Sequence, residues 1–168
     1  PLGIGIATTA QKKKVVEERD LETAKNSMLA LNLIGQDLGN LDYVNAITDV
    51  TGFGLAGHLL EVCNGCNLAA SVDFDKIPVF EFVDKYLDMD CGPGGTHRNW
   101  KAYGDQISLK DPDGFKIIAD PQTSGGLLVS VNPNNSEEFE AFMIDKGFDL
   151  NPIGTLIAPD SAATITVL

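Results

Sequence analysis

Residues 47–63, ITDVTGFGLAGHLLEVC, set a carboxylate and two glycines at the joint between a strand-like run and a helix-like run. No other stretch constrains the fold as much, because it dictates a strand, a tight turn and a helix in immediate succession. The strand is expected over Ala46–Val50. The helix is expected over Leu55–Cys63, with Leu55, Leu59, Leu60 and Val62 gathered on one side. A helix start leaves backbone N–H groups free at the turn. Gly52 and Gly54 permit positive φ and let a ligand approach the main chain closely. Asp49, at the strand's end, can aim its carboxylate at the same place. Two readings of that acid stand side by side. It can hold Mg²⁺ together with phosphate oxygens and water, or it can merely cap the turn that follows.

The rest of the chain mixes both periodicities. Leu2–Thr8 alternates apolar and small residues and predicts a strand. Asp20–Leu31 carries Leu21, Ala24, Met28 and Leu31 at helical spacing, with Asp20 as its N-cap. Leu68, Ala70, Val72 and Phe74 alternate as a strand does, and Pro78 suits the first turn of a helix running to about Leu87. Met89–Asp105 shows no clear period and reads as a long loop, which in a compact domain is more often functional than idle. Phe115–Ala119 and Leu127–Val131 predict two strands, Glu137–Lys146 a helix stopped by Gly147, and Ile153–Ala158 and Thr164–Leu168 closing strands. Without strict βαβ alternation, the expectation is an α+β layered domain with a mixed sheet, a single domain over residues 1–168. The chain opens in the middle of a strand-like pattern with no initiator Met, so it is expected to be a piece of a longer polypeptide.

Charge narrows the function classes. Twelve Lys and Arg face 24 Asp and Glu, a formal net charge of −12, which argues against a surface built to neutralise nucleic-acid phosphates. Any phosphate ligand would have to be met by a metal cation and backbone N–H groups. No apolar run approaches the roughly 20 residues of a membrane-spanning helix, so no membrane partner is expected and the reading is cytoplasmic. Three cysteines, Cys63, Cys66 and Cys91, fit a reducing compartment better than a disulfide scaffold. Cys63-Asn-Gly-Cys66 is half of a zinc site without its other half, and reads as a helix end with a buried thiol. A non-catalytic metal or interaction module built on it is a distant alternative.

Two further stretches carry groups suited to ligands. In Gly94-Gly-Thr-His-Arg-Asn-Trp100, glycines free the backbone while Thr96, His97, Arg98 and Asn99 supply donors, as an ordinary surface loop also would. Asp120-Pro-Gln-Thr-Ser-Gly-Gly126 could form an anion pocket or a plain hairpin with a bulged glycine turn. His58 reads as a satisfied structural histidine. No Ser-His-Asp order and no G-x-x-x-x-G-K-[ST] are present.

Taken together, PLGIGIATTA, ITDVTGFGLAGHLLEV, GPGGTHRN and DPQTSGGLLVSV resemble the C-terminal domain of the selenophosphate synthetase family, within the aminoimidazole ribonucleotide synthetase-like superfamily. The resemblance implies a ferredoxin-like α/β layer. It implies a full-length enzyme making selenophosphate, AMP and phosphate from ATP, selenide and water, with Mg²⁺ joining the nucleotide phosphates to aspartates. Asp49 is then the metal-binding aspartate of this half. Thr51, Gly52, Gly54, Gly95, Thr96, His97 and Asn99 are then the residues facing phosphate or substrate. No catalytic residue is expected here: the glycine-rich ATP loop and the reactive Cys or selenocysteine and Lys belong to an N-terminal domain, through which the full enzyme pairs as a homodimer. Other superfamily members, in purine or thiamine synthesis or hydrogenase maturation, are the nearest alternatives.

Overall fold

A computed structural model describes residues 1–159 and 163–168. The chain runs α1 (Ile4–Lys12), α2 (Glu18–Leu29), α3 (Ile34–Leu38), β1 (Val44–Asp49), α4 (Gly54–Cys66) and β2 (Ala69–Val72). It continues through α5 (Val83–Asp88), α6 (Gly94–Tyr103), β3 (Ile107–Leu109), α7 (Phe115–Ile118), β4 (Leu127–Val131), α8 (Ser136–Asp145), β5 (Gly154–Ile157) and β6 (Ile165–Val167). The mixed sheet has the order β3-β6-β2-β5: β2 runs parallel to β6 and antiparallel to β5, and β3 runs parallel to β6. A separate antiparallel ribbon joins β1 to β4, with Asp49 opposite Leu127. These are layers of an α+β fold, as expected.

Two apolar clusters hold the layers together. The larger packs one face of α4 (Leu55, Leu59, Leu60) on β2 and β6 (Ala70, Val72, Ile165, Val167), which buries the apolar stripe of the helix against the pleated face. The smaller packs α1 (Ile4, Ile6, Ala7, Ala10) against α5 through Val83 and Tyr86. At about 1.5–3 kcal/mol for each large apolar side chain taken from water, these clusters supply most of the favourable energy of the fold.

Several expected elements change type, each for a packing reason. Leu2–Thr8 is not a strand: only Leu2 forms a bridge, to Val79, and helix α1 starts at Ile4. The alternation was misleading because α1 is buried on nearly all sides. Its Gly5 is small because Asp120 lies against it, where a Cβ would meet Oδ1 at 2.4 Å. Asp20 is inside the first turn of α2 rather than its N-cap, and Glu17 takes the cap position. The Asp20 carboxylate instead accepts from Tyr86 Oη (2.7 Å) and Lys85 Nζ (3.1 Å), which pin α2 to α5, and the Tyr86 bond chiefly holds the Asp20 pKa below the usual carboxylate range. Pro78 precedes α5 without entering it, and Phe74 belongs to a 3₁₀ turn after β2. Phe115–Ala119 is a short helix, since an apolar run of that length suits either a buried strand or a buried helical turn. The long loop expected over Met89–Asp105 contains α6. The CNGC stretch ends α4 as expected, with Asn67 left-handed (φ 54°) as its C-cap.

Candidate functional site

The turn between β1 and α4 is held from two sides. The turn after α7 supplies the first: Val50 N–H donates to the Gly126 carbonyl and Gln122 N–H to the Thr51 carbonyl, both at 2.9 Å. Helix α6 supplies the second: Asn99 Nδ2 donates to the carbonyls of Gly52 (2.9 Å) and Ala119 (3.0 Å), and Tyr103 Oη donates to that of Phe53 (2.5 Å). All three motif stretches therefore meet at residues 50–54. The two turns approach so closely that a Cβ on Gly125 would lie 2.2 Å from the Val50 carbonyl oxygen. Gly54 has φ +71°, and a Cβ there would come within 2.8 Å of the Ile118 carbonyl. Gly54 is thus demanded by packing. Gly52 is not: it is exposed, and a Cβ there would meet nothing within 4 Å. The missing side chain leaves a clear approach to the main chain.

Asp49 is exposed, and among the described residues its carboxylate has no hydrogen-bond or ion-pair partner. It does not cap the turn. It is accessible to a cation, and its chemistry suits Mg²⁺, but the described residues contain no group of three or more metal-ligating side chains.

The expected donors of the GGTHRN stretch divide. His97 is exposed on α6, its ring tilted against Phe115 at 5.5 Å. Gly95 packs under the Pro121 ring, where a Cβ would meet Cγ at 2.9 Å. Thr96 is 2% exposed, and its hydroxyl has no hydrogen-bond partner among the described residues. Asn99 gives its amide N–H groups to the backbone, which makes it a tie between α6 and the turn. Both placements follow from the helix: positions 96, 99, 100 and 103 share its more buried face, and that spacing is present in the sequence.

The DPQTSGG turn does more than fold back. Asp120, fully buried, accepts through Oδ2 from Gly5 N–H (3.0 Å) and Gln122 Nε2 (2.8 Å), and Gln122 Oε1 accepts from Ile4 N–H (3.3 Å). Two side chains from beyond residue 119 thereby satisfy the first N–H groups of α1, which carries no cap of its own. Burial pushes the Asp120 carboxyl up to about 7, against the opposing pull of the Gln122 and Gly5 hydrogen bonds. His58 is satisfied at both ring nitrogens, as expected. Thr51 Oγ1 lies 3.2 Å from Nε2, and Glu61 Oε2 lies 3.1 Å from Nδ1. Cys63 is fully buried and its thiol pushed up to about 11, mainly by burial, while Cys66 is exposed; both are free.

The family model for the AIR synthase related protein, C-terminal domain, matches residues 1–166. The chain belongs to that family. Curated selenide, water dikinases are similar along the whole length: that of Colwellia psychrerythraea is 46% identical over 168 residues, and that of Aeromonas hydrophila 50% over 158. These alignments cover 100% and 94% of this chain but 48% and 46% of the relatives, so the chain spans about half the length of the curated relatives it matches. Among solved structures, thiamine-monophosphate kinase from Stenotrophomonas maltophilia gives a TM-score of 0.63 at 16% identity, covering 99% of this chain and 47% of that one. The hydrogenase maturation protein HypE of E. coli gives 0.60 at 16% identity, covering 99% and 43%. The sequence expectation of an aminoimidazole ribonucleotide synthetase-like C-terminal domain is therefore met, and the distant structures share its fold.

Proposed function

We propose that the chain is the C-terminal half of a selenide, water dikinase, which makes selenophosphate, AMP and phosphate from ATP, selenide and water. The observation that carries this reading is the alignment of 94–100% of the chain, at 46–50% identity, with enzymes of that name. The site geometry supports a limited share of the work. Phosphoryl transfer concentrates negative charge and asks the protein mainly for positioning and neutralisation. Asp49, without a partner among the described residues and beside an unobstructed Gly52, would contribute a carboxylate to hold Mg²⁺. Mg²⁺ bound there would supply the charge neutralisation that an acidic domain cannot. Residues 51–54 would present the turn, with His97 and the start of α6 beside it.

One carboxylate cannot complete such a site. The ATP-covering loop and the reactive residues are assigned to the missing N-terminal half, which would also form the dimer, in a cytoplasmic enzyme.

The test uses the longer parent protein. Incubated with ATP, Mg²⁺ and selenide, it is expected to yield AMP, and selenophosphate visible by ³¹P NMR. Asp49→Asn is expected to reduce turnover at least about tenfold, the scale on which one preorganised charge contact matters in catalysis, with unchanged circular dichroism. A fully active variant would remove Asp49 from the metal site. A parent protein that turns over thiamine monophosphate instead of selenide would overturn the substrate assignment.

A further inference from the structure

The proposed site contains a hydrogen-bonded series that the expected ligand roles do not explain: Glu61 Oε2 to His58 Nδ1 (3.1 Å), and His58 Nε2 to Thr51 Oγ1 (3.2 Å). Its ends differ. Glu61 is exposed on α4, His58 is 7% exposed, and Thr51 lies in the turn beside Asp49 and Gly52. The chemistry of the three groups sets the direction of each bond. An ionised carboxylate only accepts, so Nδ1 carries the imidazole proton. In the neutral ring Nε2 is then a lone pair, and the partner it faces must donate. A threonine hydroxyl has one hydrogen. With that hydrogen directed at Nε2, Thr51 keeps only oxygen lone pairs for anything that arrives at the turn.

We infer that His58 is a positioning residue which, oriented by Glu61, fixes the Thr51 hydroxyl as an acceptor at the turn. Thr51, close to Asp49 in the chain, would therefore offer lone pairs to a cation or a cation's water rather than donate to a phosphate oxygen. Phosphate contacts at this turn fall to backbone N–H groups. The inference deepens the proposed function and rests on it for its meaning in catalysis; the polarity of the series is that of the neutral imidazole ring between these two partners.

Two measurements test it. The chain contains only two histidines, His58 and His97, so long-range ¹H–¹⁵N correlation of a labelled sample resolves both rings, and His97→Gln assigns them. In the neutral ring, His58 is expected to carry its proton at Nδ1 and to be bare at Nε2, with the Nε2 resonance displaced in Thr51→Val. A ring protonated at Nε2 overturns the inference. In the parent protein, Thr51→Val and His58→Phe are each expected to lower kcat by about 10- to 100-fold, the range seen when an orienting partner is removed. The double variant is expected to be no worse than either single one, and Thr51→Ser to retain activity. Additive losses, or wild-type turnover in His58→Phe, also overturn it. If the parent protein consumes no selenide at all, the functional reading fails while the NMR result still decides the polarity.

Discussion

A carboxyl group with no solvent contact is the least expected residue-scale feature of this chain, and its titration can be predicted. Asp120 is pushed up to about 7 from an ordinary value of 3.8. Between those values the unfolded chain ionises this group while the folded chain keeps its proton. The folded state then binds more protons, so the contribution of Asp120 to stability is full below about pH 4, declines as pH rises, and is lost above about 7. Other carboxylates also titrate in this window, so the informative quantity is a difference. Asp120→Asn cannot ionise. Its stability relative to wild type is expected to improve steadily from pH 4 to 7, by an amount on the order of a few kcal/mol, and then to level off. Urea unfolding of both proteins at pH 5 and pH 8 checks this, and a pH-independent difference would show that Asp120 is already ionised in the folded chain. Nothing in DPQTSGG announced this role, because the groups that bury Asp120 are Ile4, Gly5 and their neighbours, more than a hundred residues earlier.

Elements were legible in proportion to how local their causes are. The β1–turn–α4 joint was readable because a strand period, a glycine pair and a helical stripe follow one another within 17 residues. Helix α8 and its stop were readable for the same reason, with Gly147 at φ +86° closing it. Helix α1 was not, because its glycines serve partners in α5 and in the turn after α7 rather than its own backbone period. Helix α6 begins with two glycines, poor helix formers that masked the 96/99/100/103 spacing. The glycines of the site give the element-scale prediction. Gly125→Ala forces the ribbon turn and the β1–α4 turn apart. It is expected to destabilise by about 1–3 kcal/mol, as overpacking commonly does, lowering Tm by several degrees for a chain of this size. Gly52→Ala adds a methyl group to open space at a residue whose φ is not left-handed, and is expected to leave Tm within about a degree. If a ligand approaches the main chain there, the same methyl raises KM for ATP in the parent protein. Equal melting shifts for the two variants would contradict the packing described for the turn.

At the scale of the whole molecule, two kinds of attraction for Mg²⁺ must be told apart. A formal net charge of −12 draws divalent cations diffusely over the whole surface, and that attraction is screened within about 10 Å at 0.1 M salt. A coordinated ion at Asp49 needs further ligands, and the described residues offer no cluster of three. The 168-residue chain by itself is therefore expected to bind Mg²⁺ weakly, with an affinity that falls as NaCl is added and barely changes in Asp49→Asn. In the longer parent protein, with ATP present, the same substitution is expected to raise the Mg²⁺ concentration for half-maximal turnover at least about tenfold, since a lost carboxylate ligand cannot be replaced by diffuse charge. Calorimetric titration of the chain and a magnesium-dependent rate series on the parent give the two numbers. Tight, salt-insensitive, stoichiometric binding by the isolated chain would mean that this half encloses a metal site by itself, and the shared ion between two halves would have to be abandoned.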